Sequence, residues 1–164
     1  MSGPVLRWAD AHTDATALAR FFAANVDPSY ISHGEVFCGR ALDPHTWAPD
    51  LEEVVRAEIV RIVSEGGGHR VGVVTLEGVT VALAILEIDL EARLPHAVIE
   101  DVVVARDARG GGLGTWVLDA LTERLRAEGV RALFLESGIQ NARAHAFFAR
   151  EGFEVVSKVM YRPL

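Results

Sequence analysis

Four glycines and two carboxylates carry the most specific chemistry in this sequence. Gly110, Gly111, Gly112 and Gly114 follow an apolar, β-branched run (Val98, Ile99, Val102, Val103, Val104) and lead into Leu113, Val117, Leu121 and Leu125, spaced four apart. That order predicts strand, glycine turn and helix, with Gly129 closing the helix. A glycine loop feeding a helix start gathers unpaired backbone N–H groups and the positive end of the helix dipole at one point, with no side chains in the way. This is a site for a phosphate-bearing ligand. The two carboxylates, Glu100 and Asp101, interrupt the same strand, where acids are costly without a purpose. Alternation puts them on opposite faces unless a bulge intervenes, so at most one should enter a given cleft.

Spacing narrows the ligand. A Walker A loop ends in Gly-Lys-Ser/Thr, whereas Gly114 is followed directly by Thr115. A dinucleotide fingerprint, G-x-G-x-x-G, fails at its third glycine, where Val117 or Thr115 stands. The pattern that fits is R-x-x-G-x-G, from Arg109 to Gly114. With it the sequence resembles the GNAT superfamily of acyl-CoA-dependent N-acyltransferases. The resemblance continues beyond a predicted strand at Ala132 to Glu136, into Asn141 through Phe153, an asparagine opening a short helix that ends in Gly152-Phe153.

The resemblance implies acetyl-CoA as co-substrate and direct transfer of its acetyl group to a primary amine in a ternary complex. It assigns the pyrophosphate to the backbone of Arg109, Gly110, Gly111, Gly112, Leu113, Gly114 and Thr115. The main chain of Val102, Val103 and Val104 would pair with the pantetheine arm like an added strand. Arg109 could add a phosphate contact or stand solvated beside the acidic turn. Asn141 suits a helix cap, and family members use this position to touch the cofactor arm. Ile99 to Val104 resembles the same segment in polyamine-type members, where the glutamate acts on the amine proton and the aspartate helps hold substrate. Glu100 is thus the expected base and Asp101 a substrate contact. The alternative is a carboxylate pair tied to an arginine such as Arg106.

The sequence departs from the family at Phe148, which adjoins the cofactor where many members carry a tyrosine that protonates the leaving thiolate. A thiol with a pKa of about 8.5 leaves as thiolate at neutral pH for only about 2 kcal/mol, so water could suffice. His145 and Tyr161 are the substitutes to consider.

The positioning elements follow from periodicity. Val5 to Trp8 reads as a strand, and Thr13 or Asp14 can cap a helix bearing Leu18, Ala19, Phe22 and Val26. Asp27 to Pro49 has no sustained period and reads as a long functional connection. In the family this region helps form the acceptor pocket, so Tyr30, His33, Glu35, Phe37 and Trp47 are candidate substrate contacts. Asp50 can cap a second helix with Leu51, Val54, Val55, Ile59 and Ile62 inward, ending at Gly66 to Gly68. Arg70 to Leu76 and Val79 to Ile88, joined by Glu77-Gly78, make a hairpin. Glu154 to Ser157 and Val159 to Arg162 complete about seven strands and about four helices. The layout is mixed α/β, with helices on both faces of the curved, mostly antiparallel sheet that the resemblance implies.

Composition bounds the class. The 164 residues suit one domain, 1–164, and half of them are hydrophobic. A formal net charge of −7 argues against general affinity for nucleic acid or anionic membranes. The one cysteine, Cys38, permits no internal disulfide. No apolar run reaches membrane-span length and no signal-peptide layout opens the chain, so a cytoplasmic protein is expected. No metal site is expected either. The leading expectation is an N-acetyltransferase for a small-molecule amine. The alternatives are a non-catalytic acyl-CoA-binding or regulatory module and a protein N-acetyltransferase, and the C-terminal strands would allow a homodimer.

Overall fold

The computed structural model describes residues 2–164. In chain order the elements are β1 (Val5–Trp8), α1 (Ala15–Asn25), α2 (His33–Phe37), β2 (Ala41–Asp43), β3 (Thr46–Trp47), α3 (Leu51–Glu65), β4 (His69–Leu76), β5 (Val79–Asp89), β6 (His96–Val104), α4 (Leu113–Glu128), β7 (Ala132–Leu135) and α5 (Ala142–Arg150). β1, β4, β5, β6 and β7 form one sheet in that order, and β2 pairs with β3 separately. The first three ladders of the main sheet are antiparallel, while β6 and β7 run parallel.

The α4 stripe of Val117, Leu118, Leu121 and Leu125 buries against one face, on Leu6, Val74, Ala84, Leu86 and Ile99. Leu18, Ala19 and Phe22 of α1 and Val55, Ile59 and Ile62 of α3 cover the other, on Val71, Val73, Leu83, Ile85 and Val103. Each helix thus presents the apolar face its period predicts. Asp14 caps α1 by accepting from the Ala17 N–H at 3.0 Å. Asp50 stands at the start of α3 but makes no side-chain cap bond. Glu77 and Gly78 both take positive φ, 50° and 82°, the turn that matches the twist of the hairpin.

Two features of β6 shape the cleft. Its register with β5 runs Leu86 to Ile99 and then Ile85 to Asp101, so Glu100 is an extra residue, a β-bulge. The bulge reverses the alternation: Ile99 joins the core under α4, whereas Val103 joins the core under α1 and α3. In addition, β7 pairs with β6 only from His96 to Ile99. Beyond that point the strands part, and the edge of β6 from Glu100 to Val104 is left without a strand on that side.

The structure differs from expectation at two places. The connection from Asp27 to Pro49 contains the short helix α2 and the β2–β3 pair, elements too short to show a period. Residues 154–157 and 159–162 form no strands. Their alternation is strand-like locally, but a strand needs an edge and a surface to cover. Here Val155, Val156, Val159, Met160 and Tyr161 are all exposed. The strand total comes from β2 and β3 instead of this terminal pair.

Candidate active site

The parting of β6 from β7 opens a cavity of about 780 Å³. One wall is the free edge of β6, with Glu100, Val102, Val103 and Val104; the opposite wall is Leu135, Glu136 and Ser137. One end is floored by Gly110, Gly112, Gly114 and Thr115, with Asn141 and Phe148 beside them, and the other by Tyr30 and Glu35.

The glycine end is built for an anion. Gly110 and Gly112 have φ of 88° and 82°, and a Cβ on either would project into open space. Gly112 stands at the N-cap of α4 without a side-chain cap bond, so the first-turn amides lack a protein acceptor. Arg109, Arg143 and Arg150 line this part of the cavity. Burial and the nearby guanidiniums of Arg143 and Arg106 hold Arg109 below the usual arginine value, a crowding of like charge that a bound anion would relieve. Arg109 is itself anchored, donating to Val104 O at 3.0 Å and Asn25 O at 2.6 Å. Coenzyme A fits this cradle by the chemistry of its donors: unpaired amides, missing side chains and clustered cations.

The opposite end is acidic. Glu100 lies beside His69, Oε1 to Nε2 3.7 Å, and its Oε2 is buried with no hydrogen-bond partner. Burial, offset in part by His69 and reinforced by the Asp101 and Glu58 carboxylates, pushes the Glu100 carboxyl above the usual range. Glu35 is also raised, by burial and by Asp101. Its Oε2 accepts from the backbone N–H and hydroxyl of Ser32 at 2.6 and 2.7 Å, closing a capping box on α2. The Tyr30 hydroxyl donates to Asp101 Oδ1 at 2.8 Å. Burial and that carboxylate keep the phenol protonated, well above its ordinary value.

Residues 35–153 match the model of the Acetyltransferase (GNAT) family. The chain belongs to that family. It is 31% identical over 104 residues to an IAA acetyltransferase of Azospirillum brasilense, covering 63% of this chain and 60% of that protein. It is 34% identical over 64 residues to the uncharacterized N-acetyltransferase YobR of Bacillus subtilis, covering 39% of this chain and 26% of that one. The chain thus spans less than two thirds of the length of these relatives. Among solved structures, an aminoglycoside N-acetyltransferase AAC(6')-Iy in complex with CoA superposes with a TM-score of 0.67 at 13% identity, covering 100% of this chain and 96% of the other.

Within this GNAT fold the residues singled out by sequence separate into two groups. Glu100, the three valines, Arg109, Gly110, Gly112, Gly114, Thr115, Asn141, Phe148, Tyr30 and Glu35 border one cavity, whereas Gly111 and Leu113 do not. Asp101 is absent from the cavity wall: its side chain is fully buried against Arg40. His33 sits behind the wall, 3.2 Å from Glu136. Phe37 points to solvent, and Trp47 packs on Phe22 and Tyr30. Phe148 stacks edge-on with Phe147 and Phe153. His145 and Tyr161 are exposed and outside the cavity. Arg106 does not hold the acid pair, since its guanidinium donates to Val26 O at 2.9 Å. The arginine that does is Arg40, which carried no sequence signal because it lies in an unpatterned connection. Burial opposes its charge, but Asp101 and Glu58 override that and hold Arg40 firmly protonated.

No helix among the described residues is long and apolar enough to cross a membrane.

Proposed function

We propose that this GNAT protein moves an acetyl group from acetyl-CoA directly to a primary amine of a small molecule, with Glu100 as the proton acceptor. The observation that carries the reading is the polarity of the cavity between β6 and β7. Its glycine end offers free amides and arginines, and its other end offers Glu35, Glu100 and Glu136. An anionic cofactor and a cationic acceptor would enter from opposite ends and meet at β6.

When bound, acetyl-CoA supplies an acetyl group activated as a thioester. The chain's own residues do the rest. The amides at the start of α4 and the cradle from Arg109 to Thr115 hold the phosphates. The strandless edge of β6 from Val102 to Val104, where Arg109 already takes the Val104 carbonyl, orients the pantetheine arm, and the carboxylates draw in the ammonium. Glu100, raised towards neutrality by burial, is poised to take a proton from that ammonium. Phe148 offers no proton, so the thiol product draws its own from the amine or from water.

Titration calorimetry with acetyl-CoA on the native protein and on Gly112→Glu, followed by CoA release across an amine panel, tests this. Micromolar binding lost in the variant, with turnover of some amine, supports the reading. Binding without turnover of any amine would leave an acyl-CoA-binding module, and no binding would remove the acyltransferase assignment.

A further inference from the structure

Glu100 has two environments. It lines the cavity, yet it also meets His69, which does not line the cavity. His69 opens β4 directly opposite Glu87 of β5, and ligating atoms of His69, Glu87 and Glu100 lie within 4.8 Å of one another. Glu87 is exposed and His69 half-buried. The bulge at Glu100 creates this meeting, because it turns the glutamate towards the face that carries both.

Direct acetylation obliges a proton to leave. The balance is R–NH3+ plus acetyl thioester giving the N-acetyl amide, a thiol and one H+. The C–S bond breaks as the C–N bond forms, one N–H proton ends on sulfur, and the other must reach solvent before the next turnover. Glu100 lines the cavity, and its buried Oε2 makes no hydrogen bond within the protein, so no protein donor competes for this carboxylate's proton. Oε1 faces the imidazole.

We propose that His69 is the outlet for that proton, receiving it from Glu100 inside the cavity and delivering it to water at the β4–β5 surface beside Glu87. The inference rests on the acetyl-transfer reading above. The 3.7 Å separation closes to hydrogen-bond distance by a small rotation or is bridged by one water. His69 acts through Glu100 and is a positioning residue in that sense. The other charged groups around Glu100 are Asp101 beside it on β6, Glu58 from α3 and Glu87 from β5, with Arg40 neutralising part of the Asp101 and Glu58 charge. Among these groups His69 alone is an imidazole; the rest are carboxylates and a guanidinium.

The test is His69→Gln in the full chain, assayed for CoA release against pH, with acetyl-CoA binding measured alongside as a check on folding. The expected result is unchanged cofactor binding, kcat lower by about 10-fold to 100-fold, and an acidic limb displaced to higher pH because Glu100 has lost a neighbour that favours its ionised form. In His69→Ala, added imidazole restores kcat. The NMR signals of the His69 imidazole provide a readout without turnover: they shift in Glu100→Gln, where its contact partner is changed. A native pH profile and kcat in His69→Gln overturn the relay alone. Absence of turnover by the native protein with every amine overturns the acetyl-transfer reading and the relay with it.

Discussion

The Arg40 guanidinium donates to both carboxylate oxygens of Asp101, at 2.9 and 2.8 Å, directly behind the acidic wall of the cavity. The same guanidinium reaches Glu58 at 2.6 Å and lies over the Phe22 ring at 5.0 Å. Asp101 thus fixes both the arginine and the Tyr30 hydroxyl, and serves the site by holding its frame. Removing the cation from such a buried cluster leaves carboxylates without a partner, which costs about 3–5 kcal/mol. Arg40→Met is expected to lower the unfolding free energy by that amount in urea titrations. Arg40→Met combined with Asp101→Asn should recover part of the loss, since the second change removes a stranded charge.

Glu35 gives a pH signature. Its folded-state value is raised, so the folded protein binds a proton more readily than the unfolded chain between the ordinary glutamate value, about 4.3, and the raised one. Its contribution to stability is therefore fully present below the unfolded value and is lost as pH rises through the folded value. Glu35→Gln keeps a side-chain acceptor for the α2 cap and removes this loss. The gain of the variant over the native protein should be larger at pH 7.5 than at pH 4.5 in paired denaturation midpoints. A constant difference across pH would show that the buried carboxylate does not titrate as described.

Two glycines of the loop should respond differently to one methyl group. Gly112 has φ of 82° with open space at its Cβ position, so Gly112→Ala meets backbone strain of about 1–2 kcal/mol and places a carbon in the cradle. Gly114 lies inside the first turn of α4, where alanine is favoured by about 1 kcal/mol, against a 3.4 Å approach to the Phe147 ring. Thermal unfolding should show Gly112→Ala destabilised and Gly114→Ala near native. Calorimetry should show acetyl-CoA binding weakened more in Gly112→Ala.

These contrasts show where the sequence is readable. The glycine loop, α4 and its Gly129 cap were legible to the residue because periodicity, turn chemistry and capping all point the same way there. That only one of Glu100 and Asp101 enters the cleft was legible from alternation, but the bulge at Glu100 that brings it towards His69 was not, because a bulge is a fact of pairing register. Arg40, Glu58, His69 and Glu136 reach the site from four separate segments. Their neighbourhood is created by tertiary packing, and no local spacing records it. The C-terminal segment fails in the opposite direction: its apolar alternation is plain, but a strand also requires a partner edge, which local pattern does not encode.

The segment after β7 packs against the Tyr30 end of the cavity. Gly138 passes so close to the Ser29–Ile31 turn that an added Cβ would stand 2.7 Å from Ser29 O and closer still to Ile31 O. Both obstacles are backbone, so neither can swing aside. Gly138→Ala must push the turn away, and with it Tyr30, whose ring packs edge-on against Phe22 at 5.8 Å and whose hydroxyl is held by Asp101. The neighbouring Ser137 and Glu136 on the facing wall shift as well. The overpacking should cost about 1–3 kcal/mol of stability. Misplacing this wall relative to Glu100 should lower kcat/KM for the amine by about tenfold or more. The glycine cradle lies at the other end of the cavity, so acetyl-CoA binding measured by calorimetry should stay within about twofold of native. Equal loss of coenzyme binding and amine turnover would mean that the two ends of the cavity are not independent.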